Sequence, residues 1–370
     1  MRVTMLDLTE QYQGLKEEMM TALDDVMSKA HFILGSNVKK LEADVAKYSN
    51  VSHGIGVANG SDAIHIALQA AGVGPGDEVI CPSFTFFATA GAVARAGATP
   101  VFADIDPKTF NIDPAKVEAV ITEKTKAIIP VHLYGQMADM DGLVEIAKKH
   151  NLAIIEDAAQ AIGSKYKGKS VGELGTAATY SFFPTKNLGA YGDGGMIVTN
   201  NDELAEKMSV IRVHGSKPKY YHHVLGYNSR LDELQAAVLN VKFPHLDEWS
   251  NMRKQNAANY TQLLNEALKD EVVTPFIEEH NDHVFHQYTI RVQKRDELQA
   301  FLKENGIDTM IYYPHPLHLQ PVFKELGYKE GDLPETEKAC AEAVSLPMYP
   351  ELKLEQQEYV VKKIAEFYQK

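Results

Sequence analysis

Between residues 54 and 157, short apolar runs alternate with helical stretches, and this alternation restricts the chain more than any other feature. Residues 54–58, 77–81, 100–105, 126–133 and 152–157 have the length and apolar content of buried strands. Residues 63–71, 88–96, 114–121 and 140–150, lying between them, read as helices. Such succession predicts an α/β fold with a mostly parallel sheet. Sheets of this kind bind ligands beyond the carboxyl ends of their strands. Asp157, Phe86, the Asn59-Gly60-Ser61 turn and Lys186 all fall at or just after predicted strand ends, so one pocket can collect them.

Lys186 sits in Ser181-Phe182-Phe183-Pro184-Thr185-Lys186-Asn187-Leu188, after a strand-like run over 176–183. Four glycines in the seven residues 189–195 follow it, and then the apolar run Met196-Ile197-Val198-Thr199. A glycine-rich turn between two strands lets the backbone close around a ligand. A single lysine at its mouth, held in apolar surroundings, loses its charge more easily and becomes a nucleophile. Taken alone, the stretch equally fits an ordinary loop with a solvated lysine. Asn59-Gly60-Ser61-Asp62 opens a helix with capping residues, and a helix N-terminus attracts phosphate. An ordinary cap has the same appearance. Phe84 and Phe86 suit the wall of a pocket for a flat ligand, or simply a core.

With 370 residues the chain exceeds what one hydrophobic core usually supports. The expected division is a large domain over 1–245 and a small α+β domain over 246–370. In the first, residues 11–50 are helical with a break at 35–37, residues 208–214 look helical, and 231–243 form an amphipathic helix. Helical texture continues to about Lys269. Beyond it come strands over 284–292 and 309–313 and helices over 295–305 and 354–368.

The formal charge of -13, with no basic stretch, argues against nucleic acid as a partner. No apolar run is long enough to span a membrane. Cys81 and Cys340 lack zinc or redox spacing, and the first residues carry no signal pattern, so a cytoplasmic location is expected.

Two motifs are weighed and set aside. Gly163-Ser164-Lys165-Tyr166-Lys167-Gly168-Lys169-Ser170 fits a phosphate loop, which would make the chain a nucleoside triphosphatase. No strand precedes it and no helix follows, so a surface hairpin is expected instead. In Pro314-His315-Pro316-Leu317-His318 the prolines prevent the helix that would align two imidazoles, so no metal site is expected.

Five motifs occur in order: Asn59-Gly60-Ser61-Asp62-Ala63, Pro82-Ser83-Phe84-Thr85-Phe86, Glu156-Asp157-Ala158-Ala159-Gln160, residues 181–195, and Asn228-Ser229-Arg230-Leu231-Asp232-Glu233-Leu234-Gln235-Ala236. Together they closely resemble the sugar aminotransferases of the DegT/DnrJ/EryC1/StrS family, which use pyridoxal 5'-phosphate (PLP). The resemblance spans essentially the whole chain. It implies a fold type I transferase, with a seven-stranded, mostly parallel sheet, a small C-terminal domain, and a homodimer with shared active sites. By matching position, Lys186 forms the Schiff base with PLP and Asp157 pairs with the pyridine nitrogen. Gln160 lies near the ring hydroxyl, and Phe86 stacks on one ring face. Ser61, the backbone at Gly60 and Asp62, and Ser181 hold the phosphate, which Asn228 reaches from the partner subunit. The resemblance implies L-glutamate as amino donor and a nucleotide-linked keto sugar as acceptor.

Relatives that run a dehydration carry histidine at the lysine position, so Lys186 implies transamination. Relatives that aminate 4-keto sugars commonly read Thr-Thr-Gly-Glu-Gly-Gly after the lysine segment. Leu188-Gly189-Ala190-Tyr191-Gly192-Asp193-Gly194-Gly195 is instead similar to enzymes acting on dTDP- or UDP-linked 3-keto sugars. Lys219, Tyr221, His222, Arg230, Tyr313, His315 and His318 are candidate contacts to nucleotide or sugar, each equally readable as a surface or interface residue. Besides a 4-keto aminotransferase, the alternative is a non-catalytic PLP-binding regulator of the same fold.

Overall fold

The computed structural model describes residues 1–268 and 271–369. Two helices, α1 (Thr9–Lys29) and α2 (Ser36–Tyr48), precede the first strand. Then follow β1 (His53–Val57), α3 (Gly60–Ala70), β2 (Glu78–Pro82), α4 (Ala88–Arg95), β3 (Thr99–Ala103) and α5 (Pro114–Ala119). After them come β4 (Thr125–Ile128), α6 (Met140–His150), β5 (Ala153–Asp157), a hairpin of β6 (Lys165–Tyr166) and β7 (Lys169–Ser170), β8 (Ala177–Ser181) and β9 (Gly195–Thr199). The chain continues through α7 (Asp202–Ile211), α8 (Glu233–Lys242), α9 (Leu246–Ala267), β10 (Val272–Val273), β11 (Asn281–Asp282) and β12 (Tyr288–Val292). It closes with α10 (Arg295–Glu304), α11 (Pro334–Glu342), β13 (Ala343–Leu346) and α12 (Leu354–Tyr368).

The main sheet has seven strands in the order β1-β9-β8-β5-β4-β2-β3. β8, β5, β4, β2 and β3 pair in parallel, while β9 runs antiparallel to both β1 and β8. β1 therefore points the same way as β8. The carboxyl ends of β1, β2, β5 and β8 share one edge of the sheet, and every strand-end residue singled out above lies along it. Apolar clusters fill both faces, one under α2, α6 and α8, the other under α3, α4 and α7. This matches the rule that parallel sheets are buried on both sides.

A third cluster belongs to the C-terminal half. It packs α9, α10 and α12 on β12 and β13, and it takes in Val3, which bridges Ile307 from the start of the chain. The expected helical extent to Lys269 ends outside the described residues, α9 closing at Ala267.

Four sequence expectations are corrected. The helix expected over 208–214 is α7, which starts earlier because the Asn201 side chain accepts from Leu204 N–H at 3.0 Å. The strand expected over 126–133 stops at Ile128, since Pro130 has no N–H for the ladder, and only a Val131–Asp157 bridge continues it. The strand expected over 284–292 begins only at Tyr288, and residues 284–287 are not strand. They link the two halves, with Val284 N–H donating to Gly135 O at 3.0 Å. Residues 309–313 keep only a bridge, Met310 to Ser345. The phosphate-loop-like segment is a hairpin, as expected, with β6 and β7 antiparallel.

Glu233 opens α8 and is 2% exposed. Its carboxylate accepts from the backbone N–H groups of Gly35 at 2.9 Å, Asn37 at 2.6 Å and Val38 at 3.2 Å, and from the Asn37 amide at 3.0 Å. It thereby satisfies the orphan donors at the start of α2 and fixes that helix against α8. Glu233→Ala strands those donors and is expected to cost about 3 kcal/mol of stability, read from denaturant melts. Glu233→Gln loses the charge but keeps an acceptor and is expected to lose less.

Candidate active site

Asp157 ends β5 and is 5% exposed, while its neighbour Glu156 points to the other face, as strand alternation requires. Glu156 accepts from the backbone of Gly172 and Gly175 and pairs with buried His132 at 2.8 Å. The two adjacent carboxylates thus have separate tasks. Asp157 Oδ2 accepts from Thr89 Oγ1 at 2.8 Å and Oδ1 from Ala159 N–H at 3.2 Å. Thr85 in turn bonds Thr89 at 3.1 Å. Burial raises the Asp157 pKa, while those hydrogen bonds, Lys186 and His132 pull against it.

Lys186 lies in the turn after β8, where Lys186 N–H donates to Phe183 O at 2.9 Å. Desolvation brings its amine down to about 8, against the pull of Asp157. The two groups are electrostatically coupled across the sheet edge. Next to Lys186, Asn187 is buried and held at both ends of its amide. It donates to Val284 O and accepts from His286 Nδ1, each at 3.1 Å. Burial, with Lys186 and Arg253 nearby, pushes the His286 pKa down, so that ring stays neutral.

At the same edge, α3 begins against β8. The Asn59 side chain caps Asp62 N–H at 2.8 Å. Gly60 and Ser61 N–H have no acceptor among the described residues, so two donors at a positive helix end face outward. A side chain at Gly60 would put its Cβ 2.7 Å from Ser181 Cβ, and one at Gly195 would lie 2.5 Å from the Asn59 carbonyl carbon. Both glycines let the α3 terminus and Ser181 meet. Asp62 is a correction. Its backbone N–H is spent on Asn59 and its carboxylate on Arg95 at 2.9 Å, so it has no phosphate donor to offer.

Phe86 leaves its ring 57% exposed, with Tyr313 at 6.1 Å between centroids. Gln160 accepts from Tyr134 N–H at 2.7 Å and donates to the Tyr313 hydroxyl at 3.1 Å, which brings Tyr313 to the site. The donor set suits PLP. Free amides and a hydroxyl fit a phosphate, an open aromatic face fits a planar ring, a buried carboxylate fits its nitrogen, and a desolvated amine fits its aldehyde.

The other candidates lie elsewhere. His318 is a correction. Its ring is 1% exposed and tied to Ser83 Oγ at 2.8 Å and Glu337 at 3.2 Å, so it fastens the C-terminal half to β2 and is closed to substrate. His315 is exposed and bonds Leu319 O at 3.1 Å. Lys219, Tyr221, His222 and Asn228 belong to an exposed excursion after α7, which packs on α3 through Tyr227 against His65 and Leu225 O on the Gln69 amide, and Arg230 is half-buried beside it. Sequence reading missed Thr89, His132, Asn187, His286, Gln235 and Lys242. Gln235 was visible in a quoted motif without a role. Thr89 and Lys242 carried no signal, because their partners are distant in the chain.

The family model described as the DegT/DnrJ/EryC1/StrS aminotransferase family matches residues 13–365. A "Pleiotropic regulatory protein" of Geobacillus stearothermophilus is 76% identical, covering 100% of this chain and 99% of its own. The "UDP-N-acetyl-3-dehydro-alpha-D-glucosamine 3-aminotranferase" of Acidithiobacillus ferrooxidans is 47% identical, covering 96% of this chain and 95% of its own. Among solved structures, "S. venezuelae DesV in complex with ketimine intermediate" superposes with a TM-score of 0.97 at 42% identity, covering 100% of this chain and 99% of that one. With this match over nearly its whole length, the chain belongs to the DegT/DnrJ/EryC1/StrS aminotransferase family.

Proposed function

We propose that this PLP-dependent sugar aminotransferase moves an amino group from L-glutamate to C3 of a nucleotide-linked 3-keto sugar. The observation that carries the transaminase part of the reading is that Asp157, fixed by Thr89 and Ala159 at the carboxyl end of β5, and the desolvated amine of Lys186, after β8, meet at one edge of the sheet. The regulatory name of one relative says nothing of chemistry, whereas this pair has a chemical task.

The cofactor, when bound, supplies an electron sink for negative charge at the donor's α-carbon. Asp157, its oxygens fixed by Thr89 and Ala159, holds a proton on the ring nitrogen. Lys186 is the base that takes the α-proton and returns it one carbon away. An amine near 8 is partly neutral at physiological pH and suits that transfer. Gly60 and Ser61 N–H, with the Ser61 and Ser181 hydroxyls, bind the phosphate, Phe86 and Gln160 orient the ring, and Tyr313 lines the substrate side.

The C3 preference rests on residues 188–195 and on the A. ferrooxidans relative's name. The exposed excursion supports a homodimer, in which Asn228, Lys219, Tyr221, His222 and Arg230 serve the partner's site. Tyr220 at 78% and Leu225 at 88% exposed suit cover by a second copy. Residues 1–245 form the PLP-binding domain and 246–370 the small domain in this reading. No helix among the described residues is long and apolar enough to cross a membrane.

An acceptor screen decides the regiochemistry. Holoenzyme charged with glutamate is offered 3-keto and 4-keto sugars on dTDP and on UDP, and products are read by mass. Amination of a 3-keto acceptor is expected, and amination of 4-keto acceptors alone would defeat the reading.

A further inference from the structure

We propose that Lys242 is a positioning residue for the catalytic lysine, one end of a two-point grip by which α8 holds the Lys186 loop. The inference rests on the transaminase reading above.

Lys242 is 1% exposed, an unusual place for a lysine. Its Nζ donates to Gly189 O at 2.6 Å and lies 4.9 Å from the centroid of the Tyr191 ring. Two helical turns earlier on α8, Gln235 Oε1 accepts from Tyr191 N–H at 2.8 Å. Positions seven apart share one helix face. That face therefore gives the loop one donor and one acceptor, at residues two apart on the loop.

The grip carries to Lys186 because the loop is closed on itself. Ala190 N–H donates to Phe182 O at 2.8 Å, and Lys186 N–H to Phe183 O at 2.9 Å. Leu188 and Ala190 are fully buried. On the opposite side, Val284 and His286 clamp Asn187. Between these fixtures the Lys186 backbone has little room to shift, and Asp157 sets the charge its amine meets.

Burial of the Lys242 amine is costly, and desolvation brings it down to about 8 against the pull of Glu351. An apolar side chain would fill the space without that cost. The donor's direction onto Gly189 O gives the buried amine a purpose, and either protonation state supplies it.

Holoenzyme carrying Lys242→Met is the test. A thermal melt checks folding, donor half-reaction kinetics separate kcat from KM, and a pH titration of the visible band reports the Lys186 environment. The expected result is a folded protein with kcat down by 10- to 100-fold, donor KM within twofold, and a displaced band midpoint, because small misplacements of reacting groups cost about this much. Wild-type kcat and midpoint in the folded variant would overturn the proposal. If Lys242→Met does not fold, Gln235→Leu cuts the other end of the grip, and unchanged kcat and midpoint there overturn it equally. Failure of the transaminase reading is distinct, since wild-type holoenzyme would then not turn over.

Discussion

Lys186→Met is expected to abolish turnover and, in the cofactor-free protein, to raise stability. In the proposed mechanism Lys186 moves the α-proton, and removing it should cost at least about 10³-fold in rate. The stability gain has a separate cause. The amine is desolvated and its pKa falls from 10.5 to about 8. The depressed value means that the folded chain binds fewer protons than the unfolded chain between those two values. Wild-type stability therefore rises with pH across that window, and below it the penalty is present in full. At about 1.4 kcal/mol per pKa unit the penalty is on the order of 3 kcal/mol, and Asp157, left without its cation, reduces the net gain to about 1–3 kcal/mol. Melts of cofactor-free wild type and variant at pH 7 and pH 10 check both parts. The variant should be more stable at pH 7 and should show a weaker rise towards pH 10, Lys242 supplying the rest of the slope. A variant no more stable at pH 7, with an unchanged slope, would mean that the amine is not desolvated.

What the sequence revealed depended on how far apart the cooperating residues lie. Asp157, Lys186, Phe86 and the Asn59-Gly60-Ser61 turn were legible because each follows a strand, and a parallel sheet gathers strand ends. Asp62 was misjudged for a local reason. The capping bond from Asn59 takes its N–H first, and a motif does not reveal which donors are already spent. Thr89 was silent because its partner, Asp157, is 68 residues away and nothing in a short helix after Phe86 marks a hydroxyl as inward-facing. Gln235 and Lys242 face residues 44 and 53 positions earlier. The strand expected over 284–292 begins only at Tyr288, because Val284 and His286 spend their polar groups on Gly135 and Asn187 instead of on a ladder.

Asp157→Asn completes the test of the pair, since it removes charge while leaving shape. Turnover is expected to fall by about 10²- to 10³-fold, the usual scale for losing one preorganised electrostatic group. Cofactor retention should persist, because Lys186, Gly60, Ser61 and Ser181 are untouched. The asparagine fits the existing bonds. Its oxygen accepts from Ala159 N–H, and its amide donates to Thr89 Oγ1, whose own proton turns to Thr85 at 3.1 Å. Burial raises the Asp157 pKa above 3.8, so the folded cofactor-free chain holds that proton more tightly than the unfolded chain. Its contribution to stability is therefore lost as pH rises through the window above 3.8, and the variant should lack that loss. Thr89→Val should lower turnover by a smaller factor and add little on top of Asp157→Asn, because the hydroxyl acts through the carboxylate. Donor half-reaction rates for the two single variants and the double variant measure this. Additive losses would place Thr89 in a separate task, and a wild-type rate in Asp157→Asn would remove the carboxylate from the mechanism.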